Sequence, residues 1–409
     1  MNAAANCLYI SYFGLEEPLV QTQVLPYVRR LAAAGNAMTL LTFEPKARRL
    51  APEAVAKWRE RLAADGIEWH SLRYHSRLSL FSKLFDIAAG GIYATRLARR
   101  KHFEIVHGRS HVAAAMGALV KRWTGARLIF DIRGLLAEEY VDAGRWRPGG
   151  LLYRLTKGAE RKLLRYADGF VVLTARARDL LFPDEAARPP VEVIPCCVDM
   201  QRFATDPRDA ASALRTRLGI GDRRCIVYVG GLETWYLPEE TAELMTAALR
   251  SRGLMPLILT KGSADRLVRR FEQLGVAPEE YRITSAAPAE IPAYLSLSAV
   301  AISFILPAYS KLASSPTKVA EYLAAGVPVI SNAGIGDLDQ DLGGNDVGVL
   351  LSDFTPAGYE SALATIDGLR ADPSLPARCK AAARRLYDLD GVATPKYVRL
   401  YERLLGRPA

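Results

Sequence analysis

The residue types and spacings best suited to chemistry lie in one stretch: Ser314-Ser315-Pro316-Thr317-Lys318-Val319-Ala320-Glu321-Tyr322-Leu323-Ala324-Ala325-Gly326-Val327-Pro328-Val329-Ile330. Ser315 as N-cap and Pro316 at the first helical position predict a short helix, with Val319, Tyr322 and Leu323 on one face. Gly326 suits the left-handed position that ends it, and Val327 to Ile330 opens a buried strand. Lys318 falls in the first turn, where the macrodipole and the free N–H groups favour an anion over a cation. An anion bound there resolves the conflict, and Ser315, Thr317 and Lys318 at a helix N-terminus form a natural phosphate site. Glu321 sits about 4.5 Å further along the axis. It would be repelled by a phosphate but could accept hydrogen bonds from ribose hydroxyls one sugar away. Phosphate at the tip and ribose on the next turn together describe a nucleotide. The other reading is a surface helix with an ordinary Lys318–Glu321 pair at i,i+3.

Alternating strands and helices supply the frame for such a site. The chain has 409 residues, which predicts two domains of roughly 200 each, residues 1–200 and 201–391. Cys7 to Ser11 reads as a first strand. A Gly14-containing loop, one helix from Val20 to Ala34 and a strand from Ala37 to Thr42 complete a βαβ unit. The pattern continues with a helix and short strand between Trp58 and Leu72, then a long helix from Leu78 to Lys101. Ile105 to Ser110 reads as a strand running into a loop, and Leu128 to Gly134 as a second such strand. His107, Arg109 and Arg133 therefore collect at the carboxyl edge of the sheet, where open α/β sheets bind ligands. His107 also suits a satisfied core histidine; Arg is rarely buried unpaired. The stretch from Cys196 to Gly221, with Asp206-Pro207 as a break, reads as the crossing into the second half. There Arg224 to Val229 ends in Gly230-Gly231, a turn that lets a ligand approach the backbone, and Leu257 to Thr260 ends in Lys261-Gly262. Both halves read as doubly wound α/β domains. No GxGxxG follows the first strand, so a nicotinamide site is unsupported.

Lysine and arginine outnumber aspartate and glutamate by 54 to 44, a net charge of +10. Such a balance suits anionic partners: nucleotides, an anionic membrane surface or nucleic acid. Aromatic residues are 9% of the chain, with no basic–aromatic pattern of the kind that stacks bases, so nucleic acid is not expected. The five cysteines have no metal-ligand or CxxC spacing and read as reduced thiols. No signal peptide and no apolar span are visible, which points to work in the cytoplasm. The helix from Leu78 to Lys101 carries Lys83, Arg96, Arg99, Arg100 and Lys101, with Arg73 and Arg77 just before it and only Asp86 opposing them. It reads either as a core helix with a solvated basic flank or as a peripheral contact with an anionic membrane.

These motifs together resemble the GT-B glycosyltransferases of the large retaining family 4 type, in particular a bacterial surface-polysaccharide branch. The resemblance rests on the opening strand, loop and helix through Gly35. It continues in Val193-Ile194-Pro195-Cys196-Cys197-Val198-Asp199 with Phe203, in Val227 to Leu232, and most of all in Pro316 to Ile330. It implies two Rossmann-like doubly wound domains facing across a cleft, acceptor in the first and nucleotide sugar in the second. The final helix, residues 392–409, would pack back on the first domain. Glu321 would hold the ribose, while Lys318, Lys261, Ser315 and Thr317, with Gly230 and Gly231, would face the diphosphate. Gly14 and Arg109 would lie on the acceptor side. No metal or other cofactor is implied, because basic groups and helix N-termini neutralise the leaving diphosphate. The sequence departs from the family pattern in three places. Ala313 stands where the family often has a second Glu. Gly231-Leu232-Glu233-Thr234-Trp235-Tyr236 replaces its Arg and Lys-Gly. Arg133 stands in place of its first-domain His, which makes Arg133, with His107, the candidate catalytic pair.

The expected function is therefore transfer of a glycosyl group, with retention, from a nucleotide diphosphate sugar to a glycan or lipid-linked acceptor in cell-surface polysaccharide or glycolipid synthesis. Two alternatives stay open: a nucleotide-sugar epimerase on the same fold, and a non-catalytic partner subunit that binds nucleotide sugar, suggested by Ala313.

Overall fold

The computed structural model describes residues 5–45, 50–74, 80–205 and 208–407. The chain forms two compact units: residues up to Pro195 together with those from Leu389 onward, and Cys196–Asp388.

In the first unit, seven strands form one sheet: β1 (Asn6–Ser11), β2 (Ala37–Pro45), β3 (Ile67–Tyr74), β4 (Ile105–Arg109), β5 (Arg127–Asp131), β6 (Gly169–Val172) and β7 (Val191–Val193). Their order is β3-β2-β1-β4-β5-β6-β7, and every pairing is parallel. The chain starts in the middle, winds outward to β3 and returns beside β1 as β4. The crevice at such a reversal is where open sheets take ligands. The central strands are buried on both faces, as apolar runs such as Leu8-Tyr9-Ile10 require. The last helix, Thr394–Leu405, belongs to this unit and buries Tyr397, Leu400, Tyr401 and Leu404, a 3–4 spacing that presents one face. A Cβ at Gly169 would stand 2.9 Å from Leu404, so this close packing needs glycine there.

The second unit holds β8 (Cys225–Val229), β9 (Met255–Leu259), β10 (Arg282–Thr284), β11 (Ser298–Ser303), β12 (Val329–Asn332) and β13 (Gly348–Leu351). They form a parallel sheet of order β10-β9-β8-β11-β12-β13, with its reversal between β8 and β11. Strand residues alternate between two cores. Val227, Leu257, Ala301 and Val329 pack with Val319, Tyr322 and Leu323 on one face. Ile226, Ile258, Ile302 and Ile330 pack with Leu244 and Met245 on the other.

Several local expectations are corrected. The helix expected from Val20 to Ala34 is two helices, Pro18–Gln23 and Leu25–Ala33, because Pro26 has no N–H to continue the ladder. A helix starts at Pro52, six residues before Trp58. No loop follows β4: the helix Ser110–Thr124 begins at once, with Ser110 at a positive φ of 69°. The three-residue edge strand β10 was missed, since Arg282-Ile283-Thr284 is too short for a period-2 pattern. The long basic helix is described from Leu80 to Lys101. Arg77, Leu78 and the Asp206-Pro207 break lie outside the described residues. Among the described residues, no helix is long and apolar enough to cross a membrane.

Candidate functional site

In the second unit the helix Thr317–Ala324 is joined to the end of β8 through Tyr322. The buried Tyr322 hydroxyl accepts from Val229 N at 2.8 Å and donates to Ile302 O at 3.3 Å. This sets the helix N-terminus beside the Gly230 turn. Gly230 has a φ of +122°, and a Cβ there would stand 3.2 Å from Lys318 Nζ. Glycine is thus required twice, by the backbone and by the ammonium.

Lys318 is 7% exposed. Its Nζ lies 3.9 Å from the ring centre of Tyr228 and 4.1 Å from that of Tyr236, and no hydrogen-bond partner reaches it. Burial alone pushes its pKa well below the ordinary lysine value. Two aromatic faces return about 2 kcal/mol or somewhat more, against an ion desolvation of several kcal/mol. The site is therefore short of negative charge.

Glu321 does not pair with Lys318. Its Oε1 meets Arg202 Nη1 at 3.0 Å, and Arg202 also donates to Pro288 O at 2.6 Å. Burial raises the Glu321 pKa and Arg202 partly opposes that rise. The simple i,i+3 surface pair is thereby corrected: Lys318 points inward, and the partner of Glu321 is 119 residues away in sequence.

Ser315 was expected to cap the helix. The N-cap is Pro316, without a side-chain cap, and the Ser315 hydroxyl instead accepts from Cys196 N at 3.0 Å. The free N–H groups of the first turn are thus left without a side-chain cap. Thr317 is half-buried at the helix start, Lys261 is exposed just past β9, and a Cβ on Gly231 would meet open space. Ala313 is buried in a 3₁₀ turn before the helix, and Lys311 in the same turn lies 3.6 Å from the Trp235 ring centre.

In the first unit, β4 and β5 bring His107, Arg109 and Arg133 around Asp131. His107 Nε2 is 3.3 Å and Arg109 Nη1 3.4 Å from Asp131 Oδ2, while Arg133 Nε is 2.8 Å from Oδ1. Tyr401 donates to His107 Nδ1 at 3.0 Å in the tautomer that leaves Nε2–H for Asp131. Burial pushes Asp131 up, but Arg133, the His107 hydrogen bond and Arg109 outweigh it and hold the carboxyl well below its usual range. Burial pushes His107 down, despite Asp131, so the ring is neutral. His107 is fully enclosed and Arg109 is 3% exposed. This placement corrects the picture of His107 as a group that meets substrate, and of Arg109 as an open acceptor contact. Both brace Asp131, which in turn holds Arg133, whose Nη2 also donates to Tyr397 Oη at 3.1 Å. The room left by Gly14 is occupied: a Cβ there would fall 2.6 Å from Glu44 Oε2 and 2.9 Å from Pro45.

Asp131 was missed as a site residue although its i,i+2 spacing to Arg133 was visible. Arg202 and the Tyr228–Tyr236 pair gave no local signal, since their relation to Lys318 and Glu321 exists only after folding.

Residues 20–197 match the family model described as Glycosyl transferase 4-like domain. The fold is the α/β GT-B fold. A glycosyltransferase from Rickettsia africae superposes with TM-score 0.72 at 13% identity, covering 99% of this chain and 100% of that one. Sucrose-phosphate synthase from Thermosynechococcus elongatus gives 0.72 at 14%, covering 98% and 99%. HepE from Anabaena, in complex with UDP and glucose, gives 0.70 at 13%, covering 98% and 100%. Comparison with curated proteins gives no sequence match.

Proposed function

We propose that the protein transfers a glycosyl group, with retention, from a nucleotide diphosphate sugar to a glycan or lipid-linked acceptor in cell-surface polysaccharide or glycolipid synthesis. The observation that carries this reading is Lys318: an ammonium buried without a hydrogen-bond partner, beside a glycine turn and at an uncapped helix N-terminus. A diphosphate supplies the missing charge and takes the N–H groups of the first turn. Glu321, one turn further in, accepts from ribose hydroxyls, and Lys261 reaches the phosphates from the β9 end. The family match over residues 20–197 and the nucleotide-bound HepE structure support the same reading.

Catalysis then rests on charge that develops on the leaving diphosphate. Lys318 and the helix dipole stabilise it in a site from which water is largely excluded. No metal is required in this scheme, and turnover in excess EDTA is the expected outcome. Arg133, held by Asp131 and Tyr397, provides the fixed cation of the first unit. We assign no protein nucleophile.

Glu321→Gln tests the assignment. The charge-assisted bonds to ribose contribute about 1.5–3 kcal/mol, so calorimetry is expected to show roughly 10- to 100-fold weaker nucleotide binding with an unchanged melting curve. Wild-type affinity in this variant would remove Glu321 from the site. Product analysis with and without acceptor separates transfer from epimerisation and from binding without turnover. A peripheral contact through the helix Leu80–Lys101 belongs to the same proposal. Arg99 and Arg100 are exposed there, Lys101 pairs with Glu68, and Asp86 is turned inward to Tyr12.

A further inference from the structure

Apart from the basic helix Leu80–Lys101, the first unit has a second face that water does not suit. Leu151, Leu152 and Leu155 are 73%, 41% and 55% exposed, and they form the first turn of the helix Leu151–Tyr166. The inner face of that helix is fixed by Glu160 and Leu163, both buried; Glu160 bonds His111 at 3.0 Å and also meets Lys157. Leu151 and Leu155, at i and i+4, lie opposite that face. The chain enters the helix through Arg145-Trp146-Arg147-Pro148-Gly149-Gly150. Trp146 stacks on Tyr140 with ring centres 4.3 Å apart, and Lys83 donates to the Tyr140 hydroxyl at 3.1 Å. Next to Lys83, Leu84 and Phe85 are 52% and 59% exposed, so two bare apolar clusters adjoin.

The charge around these leucines has one sign. Arg145, Arg147 and Arg154 are exposed among them, and Arg161, Lys162 and Arg165 follow along the helix. Glu160 is the only acid between Ala143 and Tyr166, and it is turned inward. A second copy of the chain would bring two such basic faces together, and a nucleic acid would leave the leucines in water. A bilayer with anionic headgroups satisfies both features.

We propose that this face docks on an anionic lipid bilayer. Leu151, Leu152 and Leu155 enter the boundary between headgroups and acyl chains, while Arg145, Arg147 and Arg154 keep their charged ends at the lipid phosphates. With no membrane-crossing helix among the described residues, the contact is peripheral. The inference does not depend on the nucleotide site.

The test is flotation of the full chain with vesicles of phosphatidylcholine alone and with about one-third phosphatidylglycerol. Wild type is expected to float with the anionic vesicles only, and less so as salt rises. Leu151→Ser/Leu155→Ser and Arg145→Gln/Arg147→Gln/Arg154→Gln should each lower the bound fraction constant by about tenfold or more, with melting curves unchanged because these side chains are exposed. The proposal is overturned if wild type stays unbound, if the leucine pair floats like wild type, or if only Arg99→Gln/Arg100→Gln/Lys101→Gln loses binding. A wild-type dimer that the leucine pair dissociates would overturn it too, by giving the face to a second copy.

Discussion

Lys318 has two predictable consequences. Its folded pKa lies below its unfolded value, so the unfolded chain binds the extra proton. The apo protein is therefore expected to gain stability as pH rises through the window between the depressed value and about 10.4, and to lose it as pH falls. Lys318→Met keeps the apolar stem, removes that pH dependence and leaves the apo protein at least as stable at pH 7, while nucleotide diphosphate affinity falls. Melting curves from pH 6 to 10, with and without nucleotide, check this. A less stable apo variant with wild-type affinity would make the lysine structural. In the first unit, Tyr401→Phe leaves the His107 Nδ1 acceptor buried and unsatisfied, at a cost of about 1–3 kcal/mol in chemical denaturation. That cost should appear without any change in nucleotide binding, since the contact lies wholly in the other unit.

The short 3₁₀ turn Met200–Phe203 and the helix Thr317–Ala324 act together through Arg202 and Glu321. Arg202 from the turn, and Lys318 on the same helix, are the cations near this carboxylate. Burial already raises its pKa, and Arg202 restrains the rise. In Arg202→Met the carboxyl titrates higher still, and the protonated form accepts poorly from ribose. Donor affinity of the variant is therefore expected to be weakest near pH 6 and to recover toward pH 8–9, displaced upward from wild type. A parallel loss at every pH would show that Arg202 acts only through packing. The helix itself shows how an element can be right for a partly wrong reason. Its bounds follow from Pro316 and from Gly326, which has a φ of +80°, but the expected Ser315 cap is spent on Cys196 N.

For the chain as a whole, the decisive feature is that residues from Leu389 onward return to the first unit. Tyr397 and Tyr401 fill the space beside His107, and Leu400 and Leu404 pack over Gly169. Ending the chain after Asp388 removes four buried side chains, each of which contributes about 2–5 kcal/mol to a core. Calorimetry is expected to show the first unit's transition lost or sharply lowered, with nucleotide still stabilising what remains. Two intact transitions in the truncated chain would mean that the last helix is only an accessory.

Two parallel α/β units, most strands and the last helix were legible in the sequence, because apolar runs and helical spacing are local consequences of burial. Gly230, Lys318 and Glu321 were also legible, since a cation in a first turn violates a local rule and so announces a missing partner. The break at Val24 could have been read from Pro26. The fates of Ser315, His107 and Glu321 could not. Their partners, Cys196, Tyr401 and Arg202, lie 119, 294 and 119 residues away. A hydrogen bond over such a span leaves no periodic trace in the chain. Whether a polar side chain meets solvent, a ligand or a buried partner depends on which distant element the fold sets against it, and that is fixed only when the sheets close and the helices pack.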